Sequence, residues 1–300
     1  MKEKAKDLDG RLFAGERSLV IVGLLGLALA GMIAVYTGFN GAAVGPEGNL
    51  HKAFSFDAAI GLFILSIAAI MPLAGLSPRK RKVIRVSFIQ ATLYSYAVET
   101  IQHFRGINPR FTREGTLADT IFGGLFGLES LIIIIVTVLV AISFFRKRRT
   151  DDRVLTVLGI RYAFLSTMLA FAGGIWMIAL QGRYTGDQGN LIVSHGLGFH
   201  ALQALPLLGL LLEHAQVDGK RARTIVHAGS IAWTSALVLI MLQTALGRTV
   251  FELGPLPILA CILLLLWLAA AAVAVRELLL RPAGGMSSLL RTLTGRIMDR

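Results

Sequence analysis

Eight stretches of the chain are long and apolar enough to cross a bilayer, whose hydrocarbon core of about 30 Å needs about 20 helical residues. Backbone polar groups find no water inside a bilayer, so such stretches form helices there. A content of 55% hydrophobic residues agrees with this, because a soluble domain has fewer apolar runs. We therefore predict an all-α bundle of eight transmembrane helices. The predicted spans are 18–36, 54–76, 83–106, 120–145, 154–180, 190–213, 224–246 and 255–275.

The basic residues predict the orientation of this bundle. The N-terminal segment, the loops near 79–85, 146–153 and 220–223, and the C-terminal segment hold 23 of the 30 Lys and Arg residues, and the four opposite loops hold six. Cytoplasmic loops carry the excess of positive charge, so both termini are expected in the cytoplasm. The first span is interpreted as a retained helix, because no clear signal-peptide cleavage site follows it. Orientation also accounts for the formal charge of +12, and no nucleic-acid partner is expected.

The chain is expected to form a transmembrane domain, 1–282, and a cytoplasmic tail, 283–300. In the tail, Leu289, Leu290, Leu293 and Ile297 recur at helical spacing among arginines. This pattern is typical of an amphipathic helix that lies on anionic lipids of the inner leaflet.

A short internal repeat is also present. The tripeptide 48–50, Gly-Asn-Leu, recurs at 189–191, and Gln102 and Gly106 are matched by Gln243 and Gly247, each 141 residues later. Four spans separate the copies, so both would have the same orientation. We therefore predict a parallel 4+4 duplication, with repeats 18–146 and 154–278, of a kind that transporters use.

Polar side chains interrupt the sixth span. It contains His195, His200 and Gln203, and Pro206 follows. Imidazole and amide groups in a spanning helix usually face a protein interior or a water-filled cavity. At about 1.5 Å per residue, His200 lies about 12 Å and Gln203 about 16 Å from the outer end. We therefore expect His200 to be buried, His195 to lie at the mouth of a site, and Pro206 to permit a kink.

The third and fourth spans carry carboxylates in the same outer half. Glu99 lies about 10 Å, His103 about 5 Å and Glu129 about 12–15 Å from that surface. Glu99, Gln102 and His103 share one helical face. Asp57 and Gln243 belong to the same half, and Arg105 belongs to the adjoining loop charges that could draw in an anion. The polar set predicts a site open to the outside.

Two segments, ETIQHFRGINPRF (99–111) and HGLGFHALQALP (195–206), resemble a family of multi-pass proteins of bacterial inner membranes. In that family one helix ends in Q-x-x-R-G before a polar loop, and a later helix opens with His and continues as H-A-L-Q-x-L-P. The resemblance implies the bacterial cytoplasmic membrane and no particular activity.

Three functions remain open. In the first, a redox protein, His103 and His200 would bind haem b or a divalent metal, with Glu99 or Glu129 as a partner and His195 and Gln203 nearby. The second is a carrier for an unidentified small molecule. Its proton and substrate path would use the following side chains: Glu99, Glu129, Gln102, Asp57, Gln203, Gln243 and Arg105.

The third is an enzyme that modifies a lipid or quinone with a His/Glu acid–base pair. The sequence contains no P-loop, G-x-S-x-G, HExxH or C-x-x-C-H pattern, and its single cysteine, Cys261, excludes an intramolecular disulfide. A homo-oligomer is compatible with all three functions.

Overall fold

The structure, a computed structural model, describes residues 12–146 and 153–280. These residues form eight α-helices and two short antiparallel hairpins, which confirms the predicted all-α class. The predicted tail and most of the basic loop 146–153 lie outside the described residues. The helices are α1 (Arg17–Asn40), α2 (Leu50–Ile70, followed by the 3-10 turn Met71–Ala74), α3 (Pro78–Phe104), α4 (Leu117–Arg146), α5 (Val154–Leu180), α6 (Leu191–His214), α7 (Gly219–Ala245) and α8 (Pro255–Leu279). The hairpins pair β1 (Ala43–Val44) with β2 (Gly48–Asn49), and β3 (Tyr184–Thr185) with β4 (Gly189–Asn190).

Seven of the described helices are long and apolar enough to cross a membrane. The chain is therefore a multi-pass membrane protein. The exception is α3, whose 27 residues are long enough but include a basic first turn and Glu99 near the end.

The starts of α3 and α7 differ from the predicted spans. α3 begins at Pro78, five residues before the predicted start of the third span at 83, so the basic residues 79–82 are helical and the prediction that they form a loop is wrong. Ser77 accepts a hydrogen bond from the Lys80 N–H, and proline at the first helical position has its φ already set. Likewise α7 begins at Gly219 behind the cap residue Asp218. Basic residues oppose the helix dipole at an N-terminus, so the sequence favoured a loop, but capping outweighs this effect.

The described chain divides into two compact units. The N-unit, Leu12–Ser143, contains α1 to α3 and nearly all of α4, and the C-unit begins at Phe144 and contains α5 to α8.

Within the N-unit, α3 runs beside the full length of α1. Near its start, Arg81 and Arg85 bind the buried carboxylate of Glu16, the residue before α1. Near its end, His103 Nδ1 accepts a hydrogen bond of 3.1 Å from the N–H of Asn49, in the hairpin that follows α1. The two ends of α3 are therefore level with the two ends of α1.

In each unit a hairpin is hydrogen-bonded to a glycine that follows a helix; we call this arrangement the hairpin clamp. The Glu47 N–H donates to the Gly106 carbonyl at 2.7 Å, and the Gln188 N–H donates to the Gly247 carbonyl at 3.1 Å. Gly106 and Gly247 have φ angles of 78° and 74°, in the left-handed region that favours glycine. Glu47 and Gln188 are 141 residues apart in the sequence, and so are Gly106 and Gly247.

The same spacing extends beyond the clamps. Asn49 and Asn190 each cap the helix that follows, by accepting a hydrogen bond from a backbone N–H two residues later. α3 and α7 begin and end 141 residues apart. At the clamps, at these caps and at the ends of α3 and α7, residues 141 positions apart therefore adopt matching local structures.

Glycines allow α5 and α6 to approach closely in the C-unit. A Cβ at Gly159 would lie 2.7 Å from the Leu205 carbonyl carbon, and one at Gly198 would lie 2.8 Å from the Ser166 carbonyl oxygen. Since backbone atoms cannot move aside as a flexible side chain can, these positions require glycine for the observed packing.

We expect Gly159→Ala to destabilise the protein by about 1–3 kcal/mol, because the added methyl group forces the two helices apart. Gly196→Ala on α6 is the matched control, since nothing lies within 4 Å of a Cβ there. Denaturant titration of the purified protein in detergent would compare them. Equal stability of the two variants would contradict the proposed packing.

Candidate functional site

A buried ion pair lies at the hairpin end of the N-unit. Glu99 on α3 has no exposed surface, and its Oε1 accepts a hydrogen bond of 2.9 Å from Nη2 of Arg110, which lies in the loop after α3. Asp57 on α2 is also fully buried, accepts a bond of 2.8 Å from the Thr100 hydroxyl and interacts electrostatically with Glu99. These residues and His103 form what we call the Glu99 site.

His103 links this site to the hairpin clamp. Its Nδ1 accepts the Asn49 N–H, so the proton of the neutral ring is assigned to Nε2. Nε2 lies 3.4 Å from Glu99 Oε1, within ion-pair distance but outside hydrogen-bond geometry. Neither ring nitrogen therefore presents a lone pair to a metal or a haem iron in this structure.

Aromatic rings hold the Arg110 guanidinium in place. Its Cζ lies 5.3 Å from the centroid of Phe56 on α2 and 5.4 Å from that of Phe126 on α4. The loop can approach α4 because residue 123 is glycine, where a Cβ would lie 3.3 Å from the Arg110 carbonyl oxygen. Cation–π contacts stabilise a guanidinium that is partly removed from water.

Three carboxylates of the N-unit are incompletely satisfied. Asp57 Oδ1, Glu99 Oε2 and Glu129 Oε2 are buried and have no hydrogen-bond partner among the described residues. The other oxygen of Glu129 accepts a bond of 2.5 Å from Gln90 Nε2. Burying an ionised carboxylate without full compensation is costly.

Two further carboxylates of the N-unit, by contrast, are fully engaged, and sequence reasoning missed both. Asp119 accepts hydrogen bonds from Gln102 Nε2 at 2.9 Å and Arg105 Nη1 at 2.6 Å, and forms a capping box with Thr116 at the start of α4. The T-x-x-D spacing could have revealed the box. Gln102 and Arg105, predicted for a substrate path, are thus held in a structural network.

Glu47 is the second of these carboxylates. It accepts bonds from the backbone N–H groups of Asn108 and Arg113 and from the Thr112 hydroxyl. Burial raises the pKa of the Glu47 carboxyl, but the bonds from Thr112, Arg113 and Asn108 outweigh it and hold the pKa below its usual value of 4.5. Nothing in the Gly-rich sequence around Glu47 indicated this role.

The lowered pKa of Glu47 predicts a pH dependence. A carboxyl with a depressed pKa in the folded state adds stability that is complete above its unfolded pKa and is lost as the pH falls through the folded value. The stability difference between wild type and Glu47→Gln should therefore be largest near neutrality and shrink toward strongly acidic pH. Denaturant titrations across that range, with the exposed Glu114→Gln as control, would measure it. A difference independent of pH would contradict the assignment.

The remaining predicted side chains belong to the C-unit. His195 Nδ1 lies 2.8 Å from the Ala170 carbonyl, which places its proton on Nδ1, and the ring packs against Phe199. Gln243 is buried and donates to the Thr249 carbonyl at 2.9 Å. His200 Nδ1 lies 3.1 Å from Gln203 Oε1.

The expected burial of His200 is wrong, because its side chain is exposed. The buried face of α6 at this level is formed by Ala201, Leu202 and Leu205, and His200 lies on another face. His103 and His200 belong to different units, so their joint binding of a cofactor stays a prediction. No group of three His, Cys, Asp or Glu side chains suited to a metal ion occurs in residues 12–146 and 153–280.

The fold and these charges define a multi-pass α-helical membrane protein with ionisable groups buried in its N-unit. No protein-family model, curated protein or solved structure matches the chain.

Proposed function

We propose that this protein is a proton-coupled carrier for a small solute, with the Glu99 site as its proton-binding centre. The observation that carries the proposal is a set of buried charges that the fold does not require. The C-unit forms the same hairpin clamp as the N-unit, but Ile240 and Thr244 occupy the positions 141 residues after Glu99 and His103. A buried ionisable group that is dispensable for folding is best explained by function.

The incomplete hydrogen bonding of the carboxylates supports this role. Asp57, Glu99 and Glu129 each have one buried oxygen without a partner among the described residues, and each such oxygen is a position that a transported proton can occupy. We assign Glu99 as the coupling residue, because its protonation would also weaken its ion pair with Arg110. A carrier passes through states in which its site is closed to both sides, which agrees with the burial of Glu99 and His103.

The alternative functions have less support. The Nδ1 lone pair of His103 accepts the Asn49 N–H and the ring proton is assigned to Nε2, which disfavours a haem or metal ligand at this position. The Glu99–His103 pair matches the enzyme hypothesis in composition, but a lipid or quinone would need access to side chains that are 0% and 1% exposed.

We further propose that the chain is a parallel 4+4 duplication with eight spans. The offset of 141 residues relates the clamps, the helix caps and the ends of α3 and α7. α3 begins beside Glu16 and ends beside the hairpin, so it crosses the membrane wherever α1 does. With both termini in the cytoplasm of a bacterial cell, the Glu99 site faces outward. The tail 283–300 would rest on anionic lipids.

The carrier is tested in proteoliposomes that contain a pH-sensitive dye. We expect one of a panel of amino acids, sugars and carboxylates to drive protons inward with wild type, and Glu99→Gln to slow this about tenfold or more, because glutamine cannot take up a proton. Glu114→Gln, at an exposed position, should behave as wild type.

Proton movement at the wild-type rate in Glu99→Gln would remove the proposed role of this residue. If no solute of the panel drives proton movement, the proposed carrier function is refuted.

The topology is tested by cysteine labelling in a Cys261→Ser background. A membrane-impermeant maleimide should label Arg113→Cys, in the loop after α3, in intact spheroplasts. It should label Lys80→Cys, in the first turn of α3, only after permeabilisation. The same accessibility at both positions would refute eight spans.

A further inference from the structure

The N–H groups of Arg110 that do not bond to Glu99 indicate the class of substrate. Only Nη2 of Arg110 binds Glu99, whereas Nη1 and Nε have no acceptor among the described residues. The side chain is 36% exposed, although its Glu99 partner is completely buried. The guanidinium thus connects the buried site to the surface and has unused N–H groups.

The other arginines of the N-unit have different surroundings. Arg85 uses both Nε and Nη2 on Glu16. Arg105 bonds Gln102 and Asp119 through Nη1, and these bonds join the end of α3 to the first turn of α4. Among the described arginines of the N-unit, Arg110 alone makes cation–π contacts, with the adjoining rings of Phe56 and Phe126.

Phe251 stands 141 residues after Arg110, in a loop that is three residues shorter. The clamp in the C-unit is formed without either member of the ion pair. The clamp therefore does not require the charge of Arg110, which favours a ligand over a structural role for that charge.

We infer that Arg110 binds the carboxylate of a small organic anion with an apolar body when Glu99 is protonated. A guanidinium matches a carboxylate through parallel N–H···O bonds, and Phe56 and Phe126 offer the apolar surface beside it. This inference rests on the proposed carrier function and names its cargo class.

The substrate carboxylate replaces the Glu99 carboxylate as the partner of Arg110, and this exchange couples proton binding to anion binding. The titratable and charged groups that interact with Glu99 are His103 on the same helix, Asp57 on α2 and Arg110 on the following loop. When a proton binds the Glu99 carboxylate, Arg110 loses its counter-charge, and the anion supplies a new one. One proton and one monoanion then bind together without a change in net charge, and each raises the affinity for the other.

The reactivity of Arg110 toward phenylglyoxal, an arginine-selective reagent, tests this exchange in the full-length protein in detergent. Mass spectrometry of the peptide that contains residues 105–113 gives the rate, with Arg113 as an internal reference. We expect Arg110 to react about tenfold faster in Glu99→Gln than in wild type, because the ion pair is lost. Benzoate should then slow the reaction in Glu99→Gln several-fold, and the uncharged benzamide should not.

A second measurement does not depend on the folding of Glu99→Gln. Benzoate should raise the melting temperature of wild type at acidic pH more than at neutral pH. Arg110→Gln should lose this shift and Arg113→Gln, at a neighbouring exposed position, should keep it.

Benzoate that neither protects Arg110 nor stabilises wild type would overturn the inference. Protection by inorganic phosphate but not by benzoate would overturn the carboxylate assignment. Protection of Arg110 in a protein that moves no protons in proteoliposomes would refute the carrier and leave the anion site, so the two failures are distinguishable.

Discussion

The hydrogen bond from the Glu47 N–H to the Gly106 carbonyl fixes the geometry on which the N-unit depends. It joins the turn between α1 and α2 to the residue that ends α3, and the Asn49–His103 bond reinforces the same junction. Glu99 lies one helical turn before His103 and is therefore held beside the loop that carries Arg110. A backbone contact at the end of the helices thus positions the charged interior.

The charged interior is the costly part of this arrangement. An ion pair removed from water recovers its desolvation energy only when its geometry is good and its remaining oxygens are bonded, and Glu99 Oε2 has no partner among residues 12–146 and 153–280. The C-unit shows that the clamp alone, built with Thr185 and Thr244, is sufficient for the local fold. The N-unit adds to this clamp a buried ion pair, whereas Ile240 occupies the position in the C-unit that corresponds to Glu99.

Hydropathy predicted the helices well, because an apolar run of about 20 residues in a membrane protein has few alternatives to a helix. The offset of 141 residues was visible in the sequence at Gly48 and Gly189, and both lie tightly against a neighbouring carbonyl in the structure. The packed face of α6 was not predictable, because apolar residues lie on every side of this helix, and so the exposure of His200 was missed. The contacts of Glu47 depend on a loop that folds back over long sequence distance, which local patterns do not report.

Gly106 and Arg110 are four residues apart in one loop, but different structural constraints act on them. The left-handed backbone at Gly106 is a requirement of folding, so a descendant of this protein has little freedom there. Arg110 is held by its ion pair and by ring contacts, and the clamp of the C-unit does without it. On the proposed function, selectivity can therefore change at this loop while the scaffold that supports it is kept.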